Sequence, residues 1–432
     1  MLAAKREISQ SAYTSAHRHL QEAFQIIPKV SQGEHDRTEL ELLVDYGVTL
    51  VVLRGWYVPE MADVYKRARE LCRKLGETQR LAPVLCGLWS SHQVKGELKL
   101  ALGYAEEIAS LTSIPDDDRM LLTGWCIGST QFFMGQFDRA HARFQSGVRS
   151  YDRAKHRSIK TLDAGMDLGA ISLIYDALTL LIMGYPDQAT GRMKESLALA
   201  RELDSPFTLV VCLNMVAKFY CLNREFDQLP EIVQETLALA REHGFAFWEE
   251  SIAGYRTIGL AARRKTEELS ESLRNASKFT DLKYELAISW ARSTLAEAFI
   301  SMGRFKTARN LLAEATNIME RNDERYVESE IKRIRGVLAL KQADPSSGAL
   351  ESARFEAERD FRDAREIARN QGARLFELRA ATELSRLLAQ TGRCDEGRRM
   401  LADTLESFKE GFDAPDLKEA ERLLDELRLL EP

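Results

Sequence analysis

The 432-residue sequence lacks the long apolar runs that would place it across a membrane. Its longest apolar stretch runs from Leu168 to Tyr185 and contains Asp176. A membrane-spanning helix needs about 20 mainly apolar residues, so this stretch predicts a buried helix. Residues 1–15 have no apolar segment of the signal-peptide type,. We therefore expect a cytoplasmic protein with no membrane partner.

Cysteine pairing and basic charge are also scarce. The six cysteines are scattered and form no Cys-x-x-Cys pair, which indicates buried, reduced thiols and not a disulfide framework or a zinc site. The formal charge is -6, with a sequence pI near 5.8. Proteins that bind nucleic acids usually present a basic face, so no direct nucleic-acid partner is expected.

No recognisable catalytic motif occurs. The dipeptide Gly-Lys is absent, which excludes the phosphate-binding loop of nucleotide hydrolases,. Neither Gly-x-Ser-x-Gly nor His-Glu-x-x-His is present,. Asp163 and Asp167 flank a long segment between helices, where solvated loop residues are a better explanation than metal ligands. The sequence predicts a protein that is not an enzyme and that holds no cofactor and no metal.

What the sequence does contain is a helical repeat. It is rich in Ala, Leu, Glu and Arg, which favour helices, and it has only 10 prolines,. A turn position recurs at intervals of 40, 39, 49, 40, 40, 39, 49 and 40 residues. The turn residue Gly303 is followed by Ala308, Leu312 and Ala315, and small residues at such offsets let two helices pack closely. The turn positions are Trp56, Gly96, Gly135, Gly184, Arg224, Arg264, Gly303, Ser352 and Gly392.

This spacing predicts an all-α, tetratricopeptide-repeat-like (TPR-like) α-solenoid: a right-handed superhelix of about nine helical hairpins with a period of about 40 residues. We expect a single array over residues 1–432. Its parts are N-terminal repeats (1–150), an insertion (151–170), central repeats (171–342), a loop (343–351), and C-terminal repeats with a capping helix (352–432).

Several segments also carry a family resemblance. They are YVPEM (57–61), RELCRKLGE (69–77), GYPDQA (184–189), HGFAFW (243–248), QGARLFELRAAT (371–382) and EGFDAPDLKEA (410–420). In these segments the chain resembles the C-terminal TPR region of bacterial proteins that fuse a class III adenylate or guanylate cyclase to a predicted ATPase. The resemblance implies a regulatory or sensory role. It does not imply cyclase or ATPase activity, since the phosphate-binding loop is missing.

The candidate binding residues follow from the repeat. In a TPR superhelix the first helix of each hairpin lines the concave surface, where Asn214 and Lys218 could hold an amide and a carboxylate of a peptide. The alternative is that these residues form an ordinary hydrated inner face, with the tryptophans packed between hairpins. The predicted groove residues are Trp125, Asn214, Lys218, Trp290, Ser293, Glu297, Arg333, Arg379 and Arg386.

Three functional hypotheses follow. The leading one is a non-catalytic scaffold or regulatory module in bacterial signalling that binds a protein or peptide in the concave groove. The second is a domain that senses a small-molecule effector. The third is an orphaned regulatory part of a cyclase-like ATPase. A homo-oligomer is compatible with all three.

Overall fold

The fold consists of helices joined by short turns, as the helix-favouring composition requires. The computed structural model describes residues 2–10, 12–29, 31–56, 58–111, 117–153, 165–265, 268–269, 285–344 and 348–429. These ranges contain α-helices and short 3-10 turns but no strand. None of the helices in the described ranges has the length and apolarity needed to cross a membrane.

Twenty α-helices lie in these ranges. They are α1 (Leu2–Ser9), α2 (Tyr13–Ile26), α3 (Gln32–Arg54), α4 (Pro59–Leu75), α5 (Thr78–Gln93), α6 (Leu98–Ser110), α7 (Asp117–Phe133), α8 (Phe137–Arg149), α9 (Leu168–Ile182), α10 (Pro186–Glu202), α11 (Pro206–Leu222), α12 (Leu229–His243), α13 (Ala246–Ala262), α14 (Ile288–Ser301), α15 (Phe305–Asn322), α16 (Glu328–Gln342), α17 (Ala349–Asn370), α18 (Arg374–Gln390), α19 (Cys394–Glu406) and α20 (Pro415–Leu429).

Helices that follow one another pack as hairpins. Within the described residues, eight hairpins are complete: α3/α4, α5/α6, α7/α8, α9/α10, α11/α12, α14/α15, α16/α17 and α18/α19. The predicted partner of α13 falls mainly on residues outside the described ranges. Helix α20 packs on α18 and α19, where a capping helix was expected. The prediction of an all-α solenoid built from helical hairpins is confirmed.

The residues that defined the repeat form the helix contacts. In hairpin α14/α15, Ala296 and Ala308 have no exposed surface, while Phe299 and Leu312 fill the space beside them. Gly303 takes a φ of 73°, in the left-handed region that glycine adopts without strain,. Arg224 takes the same conformation at the equivalent turn, with a φ of 58°. The left-handed residue is therefore a property of the turn itself, because it persists where glycine is absent.

Two of the predicted boundaries need comment. Ser352 was expected at a turn but lies within α17, because Ala349–Asn370 extends the helix N-terminally through good helix formers,. The last residues of the predicted loop 343–351 are therefore helical. Residues 154–164 of the predicted insertion, including Asp163, lie outside the described residues. Asp167 caps α9, since its side chain accepts a hydrogen bond from the backbone N–H of Ala170.

The array curves until hairpins far apart in the sequence meet. The carbonyl of Val94, after α5, accepts hydrogen bonds from the N–H groups of Glu285 (3.0 Å) and Leu286 (3.3 Å), which precede α14. The N–H of Tyr326 donates to the carbonyl of Phe133 at 3.2 Å. These backbone contacts join the ends of α5 and α7, in the first half of the chain, to the segments before α14 and α16, in the second half. The two halves therefore meet beside the surface that was expected to form an open groove.

A further long-range contact joins α10 to the segment before α20. The carboxylate of Glu410 accepts hydrogen bonds from the N–H groups of Asp187 and Gln188, each at 3.0 Å. In return, the Asp187 carboxylate accepts from the N–H of Gly411 at 3.0 Å. The acceptors lie at the N-terminus of α10, where the unpaired N–H groups of a helix favour negative charge.

Tyr65 shows how tightly the hairpins pack. Its ring lies between Gly47 of α3 and Gly87 of α5. A Cβ atom at Gly47 would lie 2.5 Å from the Tyr65 hydroxyl oxygen, and one at Gly87 would lie 2.4 Å from the ring. Both glycines are helical, so close packing explains them better than backbone conformation does.

We expect Gly87→Ala to lower the free energy of unfolding by about 1–3 kcal/mol through overpacking. Gly103→Ala on α6 is the matched control, because a Cβ there meets nothing within 4 Å. Helix propensity predicts that this control gains up to about 1 kcal/mol. Urea denaturation followed by circular dichroism measures both changes. Equal stabilisation of the two variants would show that the Tyr65 contact is not constraining.

Candidate ligand-binding cavity and the adjacent arginine cluster

A central cavity remains where the concave side closes. It has a volume of about 370 Å³ and lies among α5, α7, α9, α11, α13, α14 and α15. Pockets for small molecules typically measure about 300–1,000 Å³. All five tryptophans of the chain line it: Trp56, Trp89, Trp125, Trp248 and Trp290.

Aromatic side chains form most of its wall. The ring centroids of Trp89 and Trp125 lie 5.9 Å apart, and those of Trp125 and Tyr175 lie 4.9 Å apart, both in edge-to-face contact. Trp56 and Trp248 meet at 5.7 Å in the same way. Such contacts hold rings in fixed positions. The cavity is therefore bounded by an apolar wall whose shape is set by ring packing.

Four residues of the lining carry a buried polar atom that has no hydrogen-bond partner among the described residues. The atoms are Asn214 Nδ2, Trp248 Nε1, Arg292 Nε and Gln93 Oε1. Asn214, Trp248 and Gln93 are at most 5% exposed. An unpaired buried polar atom costs about 1–3 kcal/mol, so most proteins avoid it. Three donors and one acceptor without partners, on residues that line one cavity, make it the candidate ligand site.

Lys218 lies one helical turn from Asn214 on α11 and is 2% exposed. Its Nζ lies 5.1 Å from the ring centroid of Trp290 and 4.8 Å from that of Tyr326. The rings of Phe132 and Phe133 also lie within 6 Å of it. Burial lowers the pKa of Lys218 to about 8, although the nearby Glu324 carboxylate opposes this shift.

Glu324 is buried next to the cavity wall and stabilises it. It has no exposed surface, and its carboxylate accepts hydrogen bonds from the N–H of Ala287, at 2.6 Å, and from the hydroxyl of Ser289. Burial raises the pKa of Glu324 to about 7, and the hydrogen bonds and Lys218 oppose the rise. The carboxylate thus fixes the start of α14, which carries Trp290 into the cavity.

An arginine cluster lies beside the cavity. We define it as Arg224, Arg333 and Arg379 with Glu297, Glu330, Asp416 and Glu419. It joins the α11/α12 turn to α14, α16, α18 and α20.

Two of its arginines are almost fully buried. Arg333 Nε lies 2.8 Å from Glu330 Oε1, and Arg379 Nη1 lies 2.9 Å from Glu330 Oε2. Arg379 Nη2 also lies 2.7 Å from Asp416 Oδ2. Burial would raise the pKa of Glu330, but Arg333 and Arg379 outweigh this and lower it to about 2. Glu330 is therefore held ionised between two guanidinium groups.

Arg224 brings the turn after α11 into the cluster. Its guanidinium lies 3.1 Å from Glu297 Oε1 and 3.1 Å from Asp416 Oδ1. A non-glycine residue in the left-handed region costs about 1–2 kcal/mol. The ion pairs of Arg224 offset this cost at the turn after α11. Arg264 takes the same conformation at its own turn, with a φ of 55°.

The predicted groove residues divide between these two places. Trp125, Asn214, Lys218 and Trp290 line the central cavity. Glu297, Arg333 and Arg379 belong to the arginine cluster, and Ser293 lies beside it. Arg386 is bonded to Glu383 and Glu419, both at 3.0 Å. The three arginines of the predicted groove, Arg333, Arg379 and Arg386, are therefore paired with carboxylates of the same chain. Partner binding by these residues stays a prediction.

Sequence reasoning missed several residues of both sites. Trp56, Trp89, Trp248 and Gln93 line the cavity, and Arg224 and Glu330 complete the cluster. Two signals were present in the sequence. Tryptophan is rare, yet each one falls at or near the inward side of a first helix, and an arginine replaces glycine at the Arg224 turn.

One surface group has a spacing that a metal ion could use. His35, Asp36 and Glu39 bring one ligand atom each within 4.8 Å of the others. Asp36 is already paired with Lys74, and Glu39 with Arg67. These cations compete with any metal for the same oxygens, so we assign the group no role.

The comparisons with known proteins find distant similarity. No protein-family model matches the chain. It is 22% identical over 405 residues to an uncharacterized protein of Rhizobium meliloti (strain 1021), which covers 90% of this chain and 37% of that protein. The chain thus spans little more than a third of that relative's length.

Solved structures of similar outline include a Rap protein complexed with competence and sporulation factor (11% identity, TM-score 0.47, covering 99% of this chain and 98% of that chain). Yeast Tom70 is 12% identical, with a TM-score of 0.42, and the match covers 99% of this chain and 94% of that chain. A monomeric IFIT1 mutant with Gppp-AAAA is 13% identical to this chain, with a TM-score of 0.47. The match covers 98% of this chain and 89% of that chain. Likenesses at this level assign no ligand and no activity.

We expect Glu330→Gln to lower the free energy of unfolding by about 3–5 kcal/mol at neutral pH, because two buried arginines lose their shared carboxylate. The folded-state pKa of Glu330 is depressed from 4.5 to about 2. Its contribution is therefore complete above about pH 4.5 and is lost as the pH falls toward 2. The difference in free energy of unfolding between the parent protein and the variant, measured by urea denaturation, should therefore decrease as the pH falls from about 4.5 toward 2.

Glu328→Gln is the matched control on the same helix. Glu328 forms a partly exposed pair with Arg325 at 3.4 Å, so its loss should cost no more than about 1 kcal/mol. Equal effects of the two variants, or a gap that does not change with pH, would contradict the role given to Glu330.

Proposed function

We propose that this chain is a non-catalytic regulatory module of bacterial signalling and that its signal is a small-molecule effector bound in the central cavity. One observation carries the proposal: an apolar cavity of ligand size is lined by four residues that each carry a buried polar atom without a hydrogen-bond partner among the described residues. Groups of this kind fix the orientation of ligands in otherwise apolar pockets.

Contact between the two halves of the chain beside the cavity favours a small ligand over an extended peptide. The backbone hydrogen bonds of Val94 and Tyr326 join the two halves next to the cavity, and the arginines beyond the cavity are paired within the chain. An extended peptide would have to displace these contacts. A small molecule needs only the space that is already present.

A protein or peptide ligand is the second candidate, and the rim of the cavity favours it. Met215, Gly254 and Ile318 line the cavity and are partly exposed. An apolar side chain of a partner could enter there while the partner's backbone stayed outside. This mode agrees with the common use of helical-repeat surfaces to bind proteins.

The charged groups of the cavity wall support a binding role. Glu285 and Arg321 form an ion pair at 2.8 Å, and Arg292 is paired with Glu314 at 2.6 Å. Lys218 is the remaining charged group of the described lining. Acid–base or nucleophilic catalysis needs at least two groups, a reacting group and a partner that positions it. The described lining supplies no such pair.

The proposed setting is a bacterial cytoplasm. The Sγ atom of Cys126 lies 3.9 Å from that of Cys86, in a hydrogen bond, and Cys72, Cys212, Cys221 and Cys394 form no disulfide among the described residues, which suits a reducing compartment. The relative is much longer than this chain, and the resemblance to cyclase–ATPase fusions suggests that the module regulates an enzymatic partner. Effector binding would act by tightening the contact between the two halves that meet at the cavity.

We expect Gly254→Phe to abolish effector binding without loss of fold. Gly254 lies within α13, lines the cavity, and would place a Cβ where nothing lies within 4 Å. A ligand at 100 times its Kd adds about 2.7 kcal/mol to stability. Thermal-shift screening of bacterial metabolites should therefore find compounds that raise the melting temperature of the parent but not of Gly254→Phe.

Gly103→Phe is the matched control, since it is the same change at an exposed helical glycine away from the cavity. It should keep the parent's response. A shift that persists in Gly254→Phe would place the ligand elsewhere and overturn the cavity assignment. Binding of a purified protein partner that Gly254→Phe abolishes, with no metabolite response, would favour the second candidate.

A further inference from the structure

The polar groups of the central cavity differ in what they can bind, and this difference selects the charge of the ligand. We infer that the effector is a small carboxylic acid with an apolar, ring-sized body, bound as its carboxylate by Lys218 and Asn214. This inference rests on the proposed function, because it assigns a ligand class to the same cavity.

The charge balance of the wall favours an anion. Glu285 is paired with Arg321, and Arg292 is paired with Glu314 through Nη1 while its Nε stays without a hydrogen-bond partner. The Glu324 carboxylate near Lys218 is bonded to the N–H of Ala287 and to Ser289. Among the described residues, the one acceptor within hydrogen-bond distance of Lys218 Nζ is the Tyr326 hydroxyl, at 3.3 Å. Four aromatic rings surround this ammonium group. They offset part of its desolvation, but they provide no negative charge.

An additional cation would be repelled here. Aromatic walls often bind ammonium ligands, but in this cavity the ring faces nearest the polar end already contact the chain's own ammonium group. A second positive charge would meet Lys218 in a medium of low dielectric, where repulsion is strong. An anion would instead gain a charge-assisted hydrogen bond from a donor that has been desolvated in advance.

Asn214 supplies the second donor. It lies four residues before Lys218, so both side chains lie on the same face of α11, one turn apart. The hydroxyl of Ser251 donates to Asn214 Oδ1 at 3.1 Å. This contact occupies the oxygen of the amide and leaves Nδ2 as the unpaired donor. A carboxylate has two oxygens and can accept from Lys218 and from Asn214 together.

The aromatic part of the cavity wall determines which apolar group the ligand can carry. Trp125 and Trp290 line the same cavity as the two donors, and a ring between them would bury apolar surface against aromatic surface. The unpaired Trp248 Nε1 and Gln93 Oε1 lie in the same lining and could bind one further hydroxyl or N–H group. A compact acid with a ring matches this arrangement. A phosphate with two charges does not, because the wall offers it one unpaired cation.

The test uses three probes that differ only in the polar end: 3-phenylpropionate, 3-phenylpropionamide and 3-phenylpropylamine. Because all five tryptophans line the cavity, intrinsic fluorescence reports its occupation directly. We expect the acid to bind at least about tenfold more tightly than the amide, and the amine to bind more weakly than either. A tenfold difference is the size of effect that one charge-assisted hydrogen bond can give.

Lys218→Met removes the charge and keeps the length of the side chain. It should reduce the affinity for the acid to that for the amide and leave the amide unchanged. Lys332→Met is the matched control, because Lys332 is bonded to Asp363 at 3.0 Å and does not line the cavity. It should keep the full preference for the acid. The preference of the parent protein for the acid needs no variant, so it remains testable if Lys218→Met does not fold.

Equal affinity for acid and amide, tighter binding of the amine, or no binding of any probe would each overturn the carboxylate assignment. None of these outcomes decides the proposed function, which depends on the metabolite screen with Gly254→Phe. Loss of the metabolite response in both glycine variants would instead argue against the cavity as an effector site, whatever the probes show.

Discussion

Contact between the two halves of the hairpin array buries inward-facing charges, and most of them find a partner inside the chain. In an open solenoid, such side chains would point into water at little cost. Here Arg333 and Arg379 are almost completely buried, and a buried charge without a partner costs several kcal/mol. The arginine cluster supplies these partners with carboxylates from three helices, α14, α16 and α20. The central cavity lies where the same two halves meet.

Lys218 is the exception to this pairing. Its ammonium group has aromatic rings and one tyrosine hydroxyl around it, and the lowered pKa of about 8 records the cost of that environment. Glu324 lies close enough to influence it but is itself bonded to the start of α14. The polar end of the cavity thus combines a cation and an amide N–H that lack full partners. Such incompletely satisfied groups persist in proteins mainly at sites that act on something else.

The sequence was sufficient for the local architecture. Turn spacing and the small residues around Gly303 predicted the hairpins because helix packing depends on residues three, four and seven apart. It was not sufficient to predict the contacts between hairpins that lie far apart in the sequence. Arg379 meets the carbonyl of Leu222 because of the curvature summed over several hairpins, and no local pattern encodes that sum. Asn214 and Lys218, which the sequence predicted on an inward helix face, line the cavity, whereas its enclosure was not foreseen.

The contact between Glu410 and the start of α10, more than 200 residues apart in sequence, changes how the molecule should unfold. Linear repeat proteins gain stability by adding nearest-neighbour terms, so they can fray from either end and tolerate truncation. The hairpins joined by such long-range contacts lack this independence, because Glu410 is bonded to the start of α10 and Arg224 is paired with Asp416. Removing α20 would take Asp416 from Arg224 and Arg379 and so loosen the turn after α11. Cooperativity in this part of the chain therefore extends beyond neighbouring hairpins.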